Sequence, residues 1–523
     1  MINDSNKKIV YLVTLSPKTH RTSEENLGLG YLKSSLMNEG YDVQIIDGWL
    51  NNLGVIDIYN MIMSNSKKIL FVGISSYMSN TEPTIELIRM LKQQDKSLKI
   101  VCGGFGPTFY PQKYLRGGSD YIIRGEGEKI ICMLANAISK GSSTTDIPNI
   151  GYIDCNDKVK LNNMMCLNNN LDSIPFPSRD TLDIIRKNKS TVNMVTSRGC
   201  SGNCDFCSVI AFFRLSDGKI WRTRSIKNIV DEIEEIYHQG FIHIKMVDDS
   251  FIDGNRDETW CKNFADEIKK RNINVKLRGQ IRADKISDGI LYELKRAGFF
   301  SFACGIENGS QSALSRMNKT ASLNDNIKAL ELFKKYGYIV QMGFILFDRY
   351  TTINELVDNY YFIKKYDFAV TKGIFSEMYS AEGTVLNNKL RASGNLIEDG
   401  INQNNHYIIK DDEVRRIYDA LKLWHKSHSK IYDMTIDPVI APKSIDDNLM
   451  KKFYQCIMYL KKLDLEIFKY VLLNSKDKMC NLNKMIDEKI NENQENYNNI
   501  ENYVKKLYRK ANLQYNANVN PFI

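Results

Sequence analysis

The apolar positions along this chain of 523 residues change character twice. Up to Ser139, short β-branched runs alternate with stretches that repeat every three to four residues. Lys8–Thr14, Tyr41–Asp47, Ile69–Ser76, Leu98–Gly103 and Tyr121–Arg124 predict strands. Asn26–Glu39, Val55–Met63, Thr81–Gln94 and Glu128–Ser139 predict the helices between them. In Asn26–Glu39, for example, Leu27, Tyr31, Leu32, Ser35 and Leu36 share one face and Gly40 ends the helix. Strands alternating with helices at this pitch predict an α/β domain over residues 1–144, a doubly wound, Rossmann-like parallel sheet.

Residues 145–185 read as a connector, with a hairpin at Gly151–Leu161 and a stiff Ile174-Pro-Phe-Pro177 segment expected to strap the flanking domains. A second strand–helix series fills residues 186–410. Its strands are Val192–Thr196, His243–Val247, Val275–Gly279, Phe300–Gly305, Ile339–Ile345 and Val370–Phe375. Helices are predicted at Ser225–His238, Glu258–Arg271, Ser287–Ala297, Ser322–Tyr336 and Ile353–Lys365. The first of these carries Ile226, Ile229, Val230, Ile233 and Tyr237 on one face, with Gly240 beyond its end. Six such repeats predict a partial (β/α)6 TIM-type barrel, whose chemistry belongs at the carboxyl ends of the strands. Residues 411–523 form a helical C-terminal region, with helices at Asp412–His428, Asp446–Leu473, Met479–Glu492 and Ile500–Ala511. It is expected to cover the barrel mouth.

Composition narrows the class. The chain is too long for one core, and 43% hydrophobic and 25% charged residues are ordinary for a globular protein. The polar start, Met1-Ile-Asn-Asp-Ser-Asn-Lys-Lys8, runs directly into a strand and reads as no signal peptide. No apolar run is long enough for a bilayer, so no membrane association is expected. Eleven cysteines form no disulfide framework, which points to a reducing, cytoplasmic compartment. The net charge of +9 is spread among acids, so a solvated surface is favoured over nucleic-acid binding.

One cluster of cysteines stands apart. Cys200, Cys204 and Cys207 lie in Cys-Ser-Gly-Asn-Cys-Asp-Phe-Cys, soon after the first barrel strand. Three thiolates are one too few to saturate a [4Fe–4S] cluster, leaving one iron open. An open iron can take the amino and carboxylate groups of S-adenosylmethionine. A zinc site competes poorly, because no fourth ligand lies close downstream. Chance clustering is the other alternative. Cys261, Cys304, Cys456 and Cys480 read as buried apolar residues.

With these motifs in order, residues 5–375 resemble the cobalamin-binding radical S-adenosylmethionine enzymes. The likeness rests chiefly on the cysteine motif. Leu27-Gly-Leu-Gly-Tyr-Leu32, Gly103-Gly-Phe-Gly-Pro-Thr108 and Arg124-Gly-Glu-Gly-Glu128 support it, as do Val247-Asp-Asp-Ser-Phe251, Arg278-Gly-Gln-Ile-Arg-Ala-Asp284 and Gly305-Ile-Glu-Asn-Gly-Ser-Gln311. It implies a [4Fe–4S] cluster on Cys200, Cys204 and Cys207, with Phe206 beside the adenine. Asp248, Arg282 and Glu307 become cofactor-side contacts. Each also has a plain structural reading: a core aromatic, a turn cap, an Arg282–Asp284 pair, a carboxylate satisfied by backbone.

For the first domain the resemblance implies cobalamin. Ser75, Ser76 and Tyr77 follow the third strand, and Gly103, Gly104 and Gly106 the fourth, where small residues let a flat ligand approach the backbone. The chain departs from the family in two places. It lacks an Asp-x-His-x-x-Gly cobalt-ligating motif, and His20, the only early histidine, reads as a loop residue. After the fifth barrel strand it has Gly343-Phe-Ile-Leu-Phe-Asp-Arg-Tyr-Thr-Thr352 in place of a Pro-Gly turn.

The resemblance implies a 5′-deoxyadenosyl radical that activates a C–H bond, and cobalamin-dependent methyl transfer to an unactivated carbon. Rearrangement or cyclisation without methyl transfer is the alternative enzyme; a non-catalytic corrinoid sensor is the alternative class. A small molecule or peptide is the expected substrate, and a flavodoxin or ferredoxin the expected electron donor.

Overall fold

The computed structural model describes residues 8–17, 25–64, 68–398, 405–441, 443 and 445–513. They divide into two units. The first runs to Asn193 and takes in residues 211–225; the second holds residues 194–210 and those from Ile226 onward.

The first unit is built on seven strands: β1 (Ile9–Thr14), β2 (Asp42–Asp47), β3 (Ile69–Ser75), β4 (Ile100–Gly103), β5 (Tyr121–Ile123), β6 (Ile150–Ile153) and β7 (Val159–Leu161). Their order is β2-β1-β3-β4-β5-β6-β7, and the first five run parallel. Between them lie α1 (Leu27–Asn38), α2 (Val55–Met63), α3 (Thr81–Gln94) and α4 (Glu128–Lys140). Every residue of β1 is buried. Ile9, Tyr11 and Val13 enter one core, Val10 and Leu12 the other, as a strand covered by helices on both faces requires. The hairpin read as part of the connector instead extends this sheet, with β6 antiparallel to β5. Gly30 in α1 has a packing reason: a Cβ there would lie 2.8 Å from the Ser178 carbonyl, where the returning chain crosses the helix.

The second unit holds a five-stranded sheet, parallel from its second strand on, whose edge strand starts two residues before the unit does. Its strands are β8 (Val192–Met194), β9 (His243–Met246), β10 (Lys276–Arg282), β11 (Phe299–Glu307) and β12 (Ile339–Phe344), in the order β12-β11-β10-β9-β8. Helices α5 (Ile226–His238), α6 (Glu258–Lys270), α7 (Asp288–Arg296), α8 (Leu323–Lys335) and α9 (Ile353–Lys365) follow their expected positions. The expected sixth strand shrinks to a bridge between Gln341 and Val370. The chain turns away at Gly373, whose φ of +96° is left-handed and unavailable to an extended strand.

Three long helices complete this unit: α10 (Asp412–Ile440), α11 (Asp447–Asn474) and α12 (Leu482–Ala511). Two differ from expectation. The last two predicted helices are one, because the Asn-rich stretch contains no Gly or Pro and Tyr497 anchors its middle in the core, 2% exposed. The helix expected to end at His428 continues to Ile440 despite Pro438. Proline has no N–H for the Met434 carbonyl four residues back; Tyr508 Oη donates to it instead, at 2.8 Å. Tyr508→Phe orphans that carbonyl and should cost about 1–2 kcal/mol, read as a lower thermal midpoint with unchanged helix content.

Contacts between the helical region and the barrel run along the strands. Arg278 in β10 and Ser301 in β11 both donate to the Ile440 carbonyl, at 2.9 and 2.8 Å. Buried Lys461 donates to the carbonyls of Tyr366, Asp367 and Ala369 just beyond α9. Tyr418 packs edge-on against Phe347 after β12.

Candidate active site

The cysteine loop leaves the carboxyl end of β8 and closes on a short helix, Ser208–Phe213. What shapes it is the next βα loop, which supplies three carboxylates. Asp248 is 1% exposed and accepts from the Thr196 amide (2.6 Å), the Thr196 and Ser197 hydroxyls (the latter at 2.8 Å) and Arg256 (3.4 Å). Asp249 accepts from the Gly199 amide at 3.0 Å, and Asp253 from the Ser201 amide and hydroxyl at 2.9 and 2.6 Å. Adjacent residues of a strand turn to opposite faces, but this strand, β9, ends at Met246, so Asp248 and Asp249 both lie beyond the pleat. Asp248 therefore has both oxygens committed to holding the loop.

Arg282, at the end of β10, forks onto Asp284 at 3.0 and 2.6 Å. Its Nη1 reaches the Ser201 hydroxyl at 2.9 Å and the Cys200 sulfur at 3.8 Å. Burial pushes the Asp253 carboxyl up, but Ser201, Gly254 and Arg282 outweigh it and hold it below the usual range. On the other side, the Asp205 amide donates to the Met317 carbonyl at 3.1 Å, and its carboxylate takes Lys389 (2.6 Å) and Asn318 (3.1 Å). Phe206 packs on Ala313, Met317 and Met378 with Ile345, Leu386 and Tyr407 around it. The Tyr407 hydroxyl donates to the Met378 carbonyl at 2.7 Å, and Trp424 is fully buried.

Burial raises the Cys204 thiol and takes the Cys207 thiol up to about 11, although the amides of Val209 and Ile210 at the start of the short helix oppose it at Cys207. Both feel the charge of Cys200, and Cys207 that of Cys204 as well. Thiols arranged this way bind thiophilic iron or zinc once their protons are displaced.

Glu307 ends β11 at a bulge with φ +63°, costly for a residue with a side chain. Its carboxylate pairs with Lys319 at 3.0 Å, the lysine side chain being 6% exposed. Burial alone would lower the Lys319 ammonium, but the charges of Glu307 and Cys204 hold it well above its ordinary value. Gly305 leaves room for this pair, since a Cβ there would lie 2.5 Å from Glu307 Oε1. Lys319 escaped sequence reasoning, because nothing in Arg316-Met-Asn-Lys319 marks it until the fold brings it to Glu307. The aberrant loop after β12 is held by ion pairing: Asp348 takes Arg316 at 2.7 Å, and Arg349 donates to the Ile408 carbonyl.

In the first unit, the 2-1-3-4-5 strand order puts a switch crevice at the carboxyl ends of β1 and β3. Ser75, Ser76 and Tyr77 lie there, and Gly103, Gly104 and Gly106 beside them after β4. The Ser76 side chain turns inward, to Asn80 at 2.9 Å and Tyr114 at 2.8 Å, so it offers a ligand only backbone. Gly104 has φ +98°, and a Cβ there would stand 2.7 Å from the Ser76 carbonyl. Tyr77 is partly exposed in an aromatic row that sequence reasoning missed: Trp49 at 5.6 Å, Phe105 at 6.2 Å, then Phe212 stacked on Phe105 at 4.6 Å. The spacing of these rings in sequence carries no period that could have revealed it. His20 lies outside the described residues. Gly104→Ala should lower stability by about 1–3 kcal/mol, measured by urea unfolding of the first unit.

Three cysteines in one loop after a strand of a half barrel, in a chain that also carries a glycine-floored turn at the switch point of a parallel sheet, are features shared by iron–sulfur radical enzymes with a second cofactor domain. Residues 19–135 match the B12 binding domain family and residues 194–361 the Radical SAM superfamily. The chain belongs to the cobalamin-binding radical S-adenosylmethionine enzymes. It is 29% identical over 352 residues to an uncharacterized methyltransferase of Pyrococcus horikoshii, covering 66% of this chain and 74% of that protein. To 4'-phospho-dehydrooxetanocin synthase of Priestia megaterium it is 27% identical over 377 residues, 65% of this chain but only 48% of that enzyme.

Among solved structures, the cobalamin-dependent S-adenosylmethionine radical enzyme OxsB superposes with a TM-score of 0.76 over 97% of this chain and 80% of its own, at 20% identity. The methyltransferase TsrM of Kitasatospora setae gives 0.63 over 75% of this chain and 81% of its own, at 18% identity. These are likenesses of fold. With OxsB the likeness takes in the helical region, which the sequence motifs left outside the resemblance. No helix among the described residues is long and apolar enough to cross a membrane.

Proposed function

We propose that this protein is a cobalamin-dependent radical S-adenosylmethionine methyltransferase acting on an unactivated carbon of a small molecule. The observation that carries the reading is the cysteine loop, clamped by Asp248, Asp249 and Asp253 on one side and by the Met317 carbonyl on the other. A loop so tightly held presents three thiols in one fixed arrangement. Cys200, Cys204 and Cys207 would hold a [4Fe–4S] cluster. Phe206, Arg282 and Glu307 would face S-adenosylmethionine, with Lys319 balancing the Glu307 charge. For a flat macrocycle the crevice would offer a floor of backbone: Gly104 lets the chain after β4 close on the Ser76 carbonyl, where a Cβ would stand at 2.7 Å, and Ser75, Ser76, Tyr77, Gly103 and Gly106 would line it. The bound groups supply one-electron cleavage of the sulfonium and a transferable methyl. The chain's part is to seat them, keep water off the thiols through Phe206 and its apolar neighbours, and fix Arg282 through Asp284.

The test is anaerobic turnover of reconstituted protein with reductant and candidate substrates, read by mass. Formation of 5′-deoxyadenosine with a product heavier by one methylene supports the proposal. Release of 5′-deoxyadenosine with a product of unchanged mass, or lighter by hydrogen, selects rearrangement or ring closure. That second reading draws support from relatives named as a synthase and as an anaerobic magnesium-protoporphyrin IX monomethyl ester cyclase in Synechocystis. Corrinoid binding with no 5′-deoxyadenosine sinks both in favour of a sensor.

A further inference from the structure

A cleft of about 500 Å³ lies at the amino ends of the barrel strands, the end away from the cysteine loop. His243 and Lys276, paired across the sheet, begin β9 and β10, and Phe300 and Ile339 stand at the starts of β11 and β12. The helical region lines the other side, with Pro438 near the end of α10 and Met450, Lys451 and Tyr454 early in α11. Arg282, at the far end of β10, is six residues from Lys276, about 20 Å at roughly 3.3 Å per residue. All of this lining belongs to the second unit.

Four lysines line the cleft, each from a different element: Lys276 from β10, Lys295 from the last turn of α7, Lys443 from the turn after α10 and Lys451 from α11. Against them stands one carboxylate, Asp447, 3.5 Å from the Lys276 ammonium. Lys295 lies over the Tyr338 ring at 4.7 Å. Among the described residues no carboxylate pairs with Lys295, Lys443 or Lys451. Burial, with the charge of Lys276, pushes the His243 imidazole down to about 4, so at neutral pH it adds a hydrogen-bonding nitrogen and no charge.

The alternative is a solvated lysine face. Such lysines elsewhere in this chain are often matched by acids: Lys92 and Lys99 by Asp120, Lys227 by Asp231, Lys430 and Lys505 by Glu501. Here the cations instead surround a hollow whose remaining lining is mostly apolar, with Phe300, Ile339, Pro438 and Met450 in it. Like charges around one hollow repel one another, and a bound anion removes that cost. A concave, largely apolar surface with a few charged groups is the make-up of a small-molecule site. Four ammonium groups less one carboxylate leave three positive charges, which suit a ligand with several negative ones. The volume leaves room beside them for an organic group, and Phe300 and Tyr454 offer it aromatic neighbours.

We infer that this cleft binds a nucleotide polyphosphate, with the phosphates on Lys276, Lys295, Lys443 and Lys451 and the base and sugar on the apolar lining. The site is independent of the proposed reaction. The test titrates the full, cluster-loaded chain with ATP by calorimetry at about 0.15 M salt, where loose surface attraction is screened. Saturating S-adenosylmethionine is present throughout, so that an adenine cannot report from the proposed cofactor site. The expected result is one ATP per chain, held more tightly than inorganic tripolyphosphate. A variant carrying both Lys295→Gln and Lys451→Gln should bind ATP at least about tenfold more weakly, with an unchanged thermal midpoint in the absence of ATP. Three results overturn the site. They are no binding of ATP up to about 1 mM, an affinity that the double variant leaves unaltered, and tripolyphosphate bound as tightly as ATP, which reduces the cleft to a trap for anions.

Discussion

Cys204→Ala should abolish the reaction while sparing the first unit. The reconstituted variant is expected to lose the cubane's visible absorbance, and 5′-deoxyadenosine formation should fall by at least about a thousandfold, equivalent to roughly 4 kcal/mol in the barrier. No neighbour can substitute for the missing sulfur. The sequence cysteines outside the loop that lie in this unit are buried in other elements, apart from half-buried Cys480 in the turn before α12. Corrinoid binding, followed by absorbance, should be unchanged, because the crevice residues belong to a separate unit. Retained turnover in this variant would remove the basis of the proposed function.

Lys319→Met carries the second large effect. The substitution leaves the Glu307 carboxylate, 14% exposed and held on a left-handed backbone, without its counter-charge. Removing one partner of a buried pair costs about 3–5 kcal/mol, more than a surface pair contributes by severalfold. A lower denaturant midpoint for the second unit is expected, with Lys319→Arg recovering part of the loss. The same variant should bind S-adenosylmethionine more weakly, measured by calorimetry on the cluster-loaded protein. An unchanged midpoint would mean that water already screens Glu307, and the pair would then be a surface contact in effect.

The legible part of this protein is the part that local periodicity writes down. Strands β1 to β5 and helices α1 to α9 fall within a few residues of where apolar spacing puts them, because each must bury one face or one stripe. Where the sequence misled, a distant partner had overruled a local signal. Pro438 should end α10, but Tyr508 replaces the missing donor. The Asn-rich stretch should break α12, but Tyr497 is buried against Trp424 and His428. Val370–Phe375 should be a strand, but the turn at Gly373, whose space the His425 ring fills, ends the pairing after one residue.

The same division runs through the site. A spacing of three cysteines is a local feature, and it points to the loop and to the metal chemistry proposed for it. Which carboxylates clamp that loop, why Ser76 turns inward, that Lys319 answers Glu307, and that Tyr77 joins Trp49 and Phe105 were decided by tertiary structure. Apart from Ser76 and Asn80, four positions apart, those residues are separated by a dozen to more than fifty positions, and no period of 2 or 3.6 links them. Sequence sets what each segment can become; the packing of distant segments decides which charges and rings meet, because only there are they desolvated together.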